Sequence, residues 1–346
     1  MAKAGEELLS IWTREEIMTK HPIAIIGGDK RTAYMAPLLA KEGYQAACSG
    51  TAYQFTERDK TTTHYFNKAI LDRIYNAASL KEAVDGAQNF ICGLPYAQYN
   101  NLYLTNANAN LPITELQRCL RKKQRVFGGM IPKRFRHHCE EREIRCFDFM
   151  EDEELTLFNT IATAEGVILE ALLHKDTNLH KSKALVLGYG KCGRILADKL
   201  KGLSAYVTVC SRDPQELALA DTFGLEILSL EELSSAINQF EYIFNTIPAQ
   251  VLEKEQIKRL QQDALILDIS SGQGCIAPEE GAALEGHFYR CTGLPGKYAG
   301  YSSACRLVKY VLEKMPQKVL CKEDIMSASL ETILRKGHGE KYEFKQ

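Results

Sequence analysis

Lys183–Arg212 reads KALVLGYGKCGRILADKLKGLSAYVTVCSR, and its reading decides the fold. Ala184–Leu187 is a short apolar run of the kind that forms a fully buried parallel strand. It enters Gly188-Tyr189-Gly190-Lys191-Cys192-Gly193, a G-x-G-x-x-G. Ile195-Leu196-Ala197 and Leu200 continue at helical spacing, and Tyr206–Cys210 supplies a second strand about twenty residues after the central glycine. Strand, glycine turn, helix and strand at these separations compose a dinucleotide-binding βαβ unit. Gly188 makes the tight turn, Gly190 lets the backbone meet a pyrophosphate with no Cβ in the way, and Gly193 lets helix and sheet pack closely. The helix turns its free N–H groups and the positive end of its dipole toward the phosphates. The alternative is a Rossmann-like unit that holds no cofactor.

The second strand ends Cys210-Ser211-Arg212, where an NAD site usually carries Asp or Glu for the ribose hydroxyls. A hydroxyl followed by a guanidinium suits a 2′-phosphate, with Ser211 donating a hydrogen bond and Arg212 pairing with the phosphate. The pattern therefore favours NADP over NAD. The competing reading leaves Arg212 as a solvated loop residue beside Asp213.

The chain has 346 residues, enough for two domains, with 45% hydrophobic and 25% charged residues. A net charge of −1 gives no field for nucleic acid or an anionic membrane. Eleven scattered cysteines with no C-x-x-C suggest reduced thiols. The N-terminus is charged throughout, and no segment reads as the roughly 18 apolar residues of a membrane span. These features lead us to expect a soluble cytoplasmic protein.

Glu6–Thr19 is predicted to be an amphipathic helix, followed by a buried strand at Ile23–Ile26. That strand ends in Gly27-Gly28-Asp29, then Arg31 and a helix through Ala40. The double glycine either relieves crowding at a strand–helix corner or forms a substrate-facing loop at the strand end. Thr51–Asn67 reads as a loop. Strands at Asn89–Cys92, Arg125–Phe127 and Ile144–Phe147 alternate with helical stretches at Leu80–Val84, Ile113–Arg121 and Pro132–Glu141, which implies a parallel sheet. His137-His138-Cys139 with Cys146 is not a metal site, because adjacent histidines on a helix diverge and no matching ligand pair follows.

A long helix runs from Asp152 to His174, with Leu157, Ile161, Ala164, Ile168 and Ala171 as its buried series. After the glycine unit, strands at Tyr242–Asn245, Ala264–Asp268 and Phe288–Cys291 lead into Thr246-Ile247-Pro248, Ile269-Ser270-Ser271-Gly272 and Thr292-Gly293-Leu294-Pro295-Gly296-Lys297. Such strand ends line the nicotinamide half of a dinucleotide crevice. The expected architecture is α/β, with two Rossmann-like doubly wound parallel-sheet domains joined by a long helix and a C-terminal closing helix. We expect an N-terminal substrate domain at 1–150, an interdomain helix and linker at 151–181 and an NADP-binding domain at 182–298. Residues 299–346 would be a helix returning to the N-terminal domain plus a polar tail.

NTIATAEGVILEALLHKDTNLHKSKALVLGYGKCGR resembles the central block of the dipicolinate synthase A-subunit family, where N-S-I-P-T-x-E-G leads into the glycine loop. FNTIPAQVL, LILDISSGQG, TGLPGKYAG and the opening AIIGGDKRTAYMAPLLAKEGY are similar to further signatures of that family. The resemblance covers residues 22–314. It implies an NADP-dependent dehydrogenase that works with a flavoprotein-like B-subunit. The implied reaction converts dihydrodipicolinate or 4-hydroxytetrahydrodipicolinate to dipicolinate in the mother cell of a sporulating bacterium, a lysine-branch step. It also implies Glu165 as acid or base, with Asn159 and Thr160 beside it.

Arg31 and Lys297 are the expected carboxylate anchors. Thr246, Ile247, Pro248, Asp268 and Ser270 join the glycine loop, Ser211 and Arg212 in the expected cofactor site. A homo-oligomer is expected. Three loops depart from the family pattern: Ala162-Thr163-Ala164-Glu165-Gly166 lacks its proline, Ser271-Gly272-Gln273-Gly274-Cys275-Ile276 lacks one glycine and the Asp, and Ala299-Gly300-Tyr301 lacks a second proline. A different small carboxylate, or a non-catalytic role in NADP sensing, are the alternative readings.

Overall fold

The computed structural model describes residues 22–50, 66–104 and 110–316. The helix expected at Glu6–Thr19, most of the Thr51–Asn67 loop and the tail beyond Pro316 lie outside the described residues. The chain forms two compact units, Met1–Val308 and Lys309–Gln346, and both sheets lie in the first.

The first sheet is built from β1 (Ile23–Ile26), β2 (Ala46–Ser49), β3 (Ile74–Asn76), β4 (Asn89–Cys92), β7 (Arg125–Gly128) and β8 (Arg145–Asp148), while β5 (Ala97–Gln98) and β6 (Asn101–Leu102) form a separate hairpin. Its six strands are parallel in the order β3-β2-β1-β4-β7-β8. The second sheet is built from β9 (Lys183–Leu187), β10 (Tyr206–Ser211), β11 (Glu226–Ser229), β12 (Tyr242–Asn245), β13 (Leu265–Asp268) and β14 (Phe288–Arg290). Its order, β11-β10-β9-β12-β13-β14, repeats that of the first, also all parallel. The doubly wound α/β architecture expected from the sequence is therefore present.

In each sheet a buried apolar strand, β1 or β9, occupies the position where strand order reverses. Ligands of open α/β sheets bind at the carboxyl ends beside that point. The topology thus offers two equivalent places for a site, after Ile26 and after Leu187.

The 22-residue helix Glu153–His174 connects the sheets. Asp152 caps it by accepting from the Leu155 N–H at 2.9 Å. Its buried side includes Leu155, Ala162, Ala164, Gly166, Val167 and Ala171, of which Ala164, Val167 and Ala171 share the core of the second sheet with Val186, Tyr242, Phe244 and Leu294. This corrects the expected buried series, because Leu157 and Ile161 are exposed. The helix is apolar nearly all round, so its spacing does not say which side faces inward. By length and composition it also meets the requirement for a membrane span, contrary to the sequence expectation.

The helix Gly300–Lys314 begins against the first sheet's side of the molecule. Tyr301 packs edge-on against Tyr34 with ring centroids 5.6 Å apart.

Candidate active site

At the carboxyl end of β9 the three glycines have separable causes. Gly188 has φ +87°, and a Cβ there would meet Thr246 Oγ1 at 2.7 Å. A Cβ on Gly193 would lie 2.1 Å from the Gly188 carbonyl oxygen. Both are demanded by the fold. Gly190 has φ −70°, open to any residue, and a Cβ on it would meet nothing within 4 Å. Among the described residues nothing explains its missing side chain, whereas a pyrophosphate laid on the backbone would. The helix Lys191–Gly202 starts here with no side chain capping its first N–H groups. The loop therefore fits a dinucleotide, which Gly188, Gly190 and the N–H groups after Gly190 would hold.

Tyr189 is buried, with its carbonyl accepting from Arg194 Nε at 2.9 Å. Lys191 reaches outward to Glu153 at 3.8 Å. Cys192 faces the connecting helix; burial pushes its thiol up, partly offset by a hydrogen bond with Thr160.

At the end of β10, Arg212 is exposed and Ser211 is buried. The Ser211 hydroxyl is already engaged: it donates to Glu216 at 2.7 Å and accepts from the Asp213 N–H at 3.1 Å. The same Glu216 oxygen accepts from the Tyr189 N–H at 3.3 Å, inside the glycine loop. A carboxylate thus stands where a ribose or its phosphate would sit. The sequence reading missed it, because three residues after Asp213 an acid reads as an ordinary first-turn helix residue.

Beyond β12 and β13 the loops are held by a buried network. Asp268, fully buried, accepts from Asn245 Nδ2 at 2.9 Å, from the Ser270 N–H and hydroxyl at 2.9 and 2.6 Å, and from the Cys275 N–H at 2.9 Å. Asp268 and Ser270, expected in the cofactor site, fix the shape of the loop that follows. Thr246 turns its hydroxyl back onto the Leu187 carbonyl at 2.9 Å, and Ile247 lies half-buried against Gly188, with Pro248 exposed beyond it.

The corresponding turn of the first sheet is closed. A Cβ on Gly27 would meet the Tyr103 carbonyl oxygen at 2.4 Å, and one on Gly28, at φ +86°, the Thr32 hydroxyl at 2.1 Å. Of the two readings of this double glycine, crowding at the corner is the one its surroundings require. Arg31 is buried, donating to Asp29 Oδ2 at 2.7 Å, to the Leu94 carbonyl, and to Asn159 Oδ1 at 3.2 Å. The cavity beside Arg31 and Asn159 measures about 10 Å³, room for about one water. Arg31 is therefore no free anchor; its charge is balanced by Asp29.

Lys297 is not free either. Its ammonium donates to Glu170 at 2.6 Å, and Tyr298 donates to the same oxygen at 2.8 Å. Burial pushes the Glu170 carboxyl up, but those two bonds hold it below the ordinary carboxylate range, and Glu170 in turn raises Lys297. Glu165, expected as acid or base, is exposed and paired with Lys199 at 2.9 Å. The glycine after it has the packing role: a Cβ on Gly166 would meet Leu294 Cβ at 2.8 Å.

Of the expected catalytic residues the structure joins Arg31 to Asn159, with Thr160 next in the chain; Lys297 follows Gly296, where a Cβ would meet Asp29 Oδ2 at 2.1 Å, and Glu165 is paired with Lys199 instead. Among the described residues no cluster of three or more metal-ligating side chains occurs, and His137 pairs with Glu140 and Glu141.

Residues 22–150 match the family model for the N-terminal domain of the dipicolinate synthase A-subunit, and residues 170–274 match "Shikimate / quinate 5-dehydrogenase". The dipicolinate synthase A-subunit of Bacillus subtilis (strain 168) is 28% identical over 149 residues, 43% of this chain and 50% of that protein. The aligned stretch thus spans half the length of this curated relative. The NADP(+)-dependent shikimate dehydrogenase of Acidiphilium cryptum is 41% identical over 64 residues, 18% of this chain and 23% of that protein. The crystal structure of the dipicolinate synthase A-subunit from Bacillus halodurans superposes with a TM-score of 0.70 at 19% identity, covering 85% of this chain and 98% of that one. The resemblance to the dipicolinate synthase A-subunit family therefore holds. The second half carries a dehydrogenase-type fold, which implies a nicotinamide cofactor.

Proposed function

We propose that this chain is a nicotinamide-dependent dehydrogenase that oxidises a cyclic imine-like dicarboxylate to dipicolinate: dihydrodipicolinate, or its 4-hydroxytetrahydro precursor once that has lost water, gives a hydride to the nicotinamide and a proton to solvent. The observation that carries the reading is the position of Asn159-Thr160. Asn159 accepts from Arg31 at the first sheet's switch point, and the adjacent Thr160 is buried on the helix that packs against Lys191–Gly202, the helix of the second sheet's glycine loop. One helical turn thus joins the candidate substrate side to the candidate cofactor side.

The cofactor, when bound, supplies a hydride acceptor. The chain supplies binding and orientation. Arg31's contact with the neutral Asn159 amide is its longest, at 3.2 Å. A substrate carboxylate exchanged for that amide would gain a charge-assisted bond while Asp29 keeps the guanidinium in place. The likeness supports NADP, a flavoprotein-like B-subunit as partner, and a cytoplasmic setting in a sporulating cell. NADP at Ser211 and Arg212 requires Glu216 to release the Ser211 hydroxyl.

The pairing of both Arg31 and Lys297 favours a second reading, a protein that binds the nucleotide as a signal and performs no chemistry. Stopped-flow absorbance of bound nicotinamide on adding substrate separates the two. The enzyme gives a single-turnover signal that falls steeply in Asn159→Ala. A flat trace with nucleotide bound supports the sensor.

A further inference from the structure

Among the described residues, nothing covers an apolar ridge on the connecting helix. Leu157, Ile161, Leu169, Leu172 and Leu173 are 41, 36, 38, 49 and 64% exposed. Leu157, Ile161, Glu165, Leu169 and Leu173 follow one another at four-residue steps, so they form a single i±4 ridge.

The ridge is symmetric about Glu165. Counting outward, Ile161 mirrors Leu169, Phe158 mirrors Leu172, and Leu157 mirrors Leu173, each pair apolar. We propose that this ridge is the interface of a two-fold homodimer in which two such helices cross antiparallel with Glu165 at the dyad. A two-fold interface requires that residue i meet residue j and j meet i. Here Ile161 would meet the partner's Leu169, and Leu157 would meet the partner's Leu173. Two i±4 ridges interdigitate at a crossing of about 50°.

Charge agrees with a second copy as the occupant. The one charged residue in the ridge, Glu165, is paired with Lys199 at 2.9 Å. Two bare carboxylates would repel at a dyad, but two Glu165–Lys199 pairs laid head to tail attract.

The exposed ridge offers on the order of 400 Å² of apolar surface, a patch of the size that marks interaction sites. That is roughly half of the ~800 Å² per partner in a standard interface, which fits a weak, reversible dimer. The helix meets the length requirement of a membrane span. Leaving the protein would, however, strip Ala164, Val167 and Ala171 from the core of the second sheet. The same helix carries Asn159 and Thr160, so pairing braces the segment between the two sheets.

Sedimentation velocity of the full chain across the micromolar range tests the proposal. The expected result is a reversible monomer–dimer equilibrium whose midpoint rises at least about 30-fold in Ile161→Glu and in Leu169→Glu. Cysteine placement tests the dyad independently of affinity. Under mild oxidation Glu165→Cys should link to its own mate. Leu173→Cys alone should not, while Leu157→Cys and Leu173→Cys together should. A strictly monomeric chain, a dimer indifferent to Ile161→Glu, or Leu173→Cys linking as readily as Glu165→Cys would each overturn it. So would a monomer that sediments with neutral phospholipid vesicles.

Discussion

The two sheets share one strand order and each sends a buried central strand into a glycine turn, yet the turns do different things. After β1, Gly27 and Gly28 are pressed by Tyr103, Leu104 and Thr32, and the guanidinium of Arg31 is consumed by Asp29, Leu94 and Asn159. After β9, Gly188 and Gly193 are pressed in the same way, but Gly190 faces open space. The difference teaches that a glycine at a switch point is weak evidence for a ligand until its neighbours are known. A glycine crowded by its own chain has a structural cause. One that is uncrowded, at an ordinary φ and at the head of an uncapped helix beside a switch point leaves room for a ligand.

The largest contrast is in stability. Gly28→Val places a branched Cβ at φ +86° against Thr32 and should cost about 3 kcal/mol or more. Thermal melting checks it, and a variant with an unchanged transition would remove the crowding argument for the first turn.

Next comes nucleotide choice at the second turn. Arg212→Asp should weaken NADP by about 1.5–3 kcal/mol, on the order of 10–100-fold. Glu216→Gln removes the carboxylate on Ser211 and should tighten NADP roughly tenfold with NAD little changed. Titration calorimetry with both nucleotides reads the two variants together. If Glu216→Gln leaves the NADP/NAD ratio where it was, Glu216 does not border the phosphate position.

The smallest effect belongs to the Lys297–Glu170 pair. Lys297→Met should cost about 1–2 kcal/mol, discounted because the ammonium is half-exposed. Glu170's depressed pKa makes its contribution complete above the unfolded carboxyl value of about 4.3, and lost as pH falls through the folded one. Lys297's raised pKa makes its own contribution complete below its unfolded value of about 10.4, and lost as pH rises further. Denaturant midpoints between pH 3 and 5 should therefore decline less steeply in Lys297→Met than in the parent (about the unfolded carboxyl pKa). An identical decline would leave the pair without a role.

The fully buried strands β1, β4, β9, β12 and β13 were legible because uninterrupted apolar runs bounded by turns have few other readings. β2 escaped because Ala46-Ala47-Cys48-Ser49 is small and weakly β-forming, and β3 and β11 because edge strands are half-exposed. The glycine loop was legible as a motif. The connecting helix was not oriented correctly, since an all-round apolar helix hides its inward face; hence Leu157 and Ile161 were placed in its buried series and Glu170, which is buried, was passed over. Glu216 was illegible because only the fold turns it back onto Ser211 and Tyr189.

The central claim is that the second turn holds a nicotinamide dinucleotide and the first does not. Calorimetric titration of NADP into the parent chain and into Gly190→Val tests it most directly, with thermal melting of both. We expect one site per chain in the parent. In Gly190→Val we expect binding lost by three orders of magnitude or more, since a branched Cβ would stand where the pyrophosphate would rest (about 4 kcal/mol), and an unchanged melting transition, because nothing among the described residues crowds that Cβ. Normal NADP binding by Gly190→Val, or no binding by the parent, would contradict it.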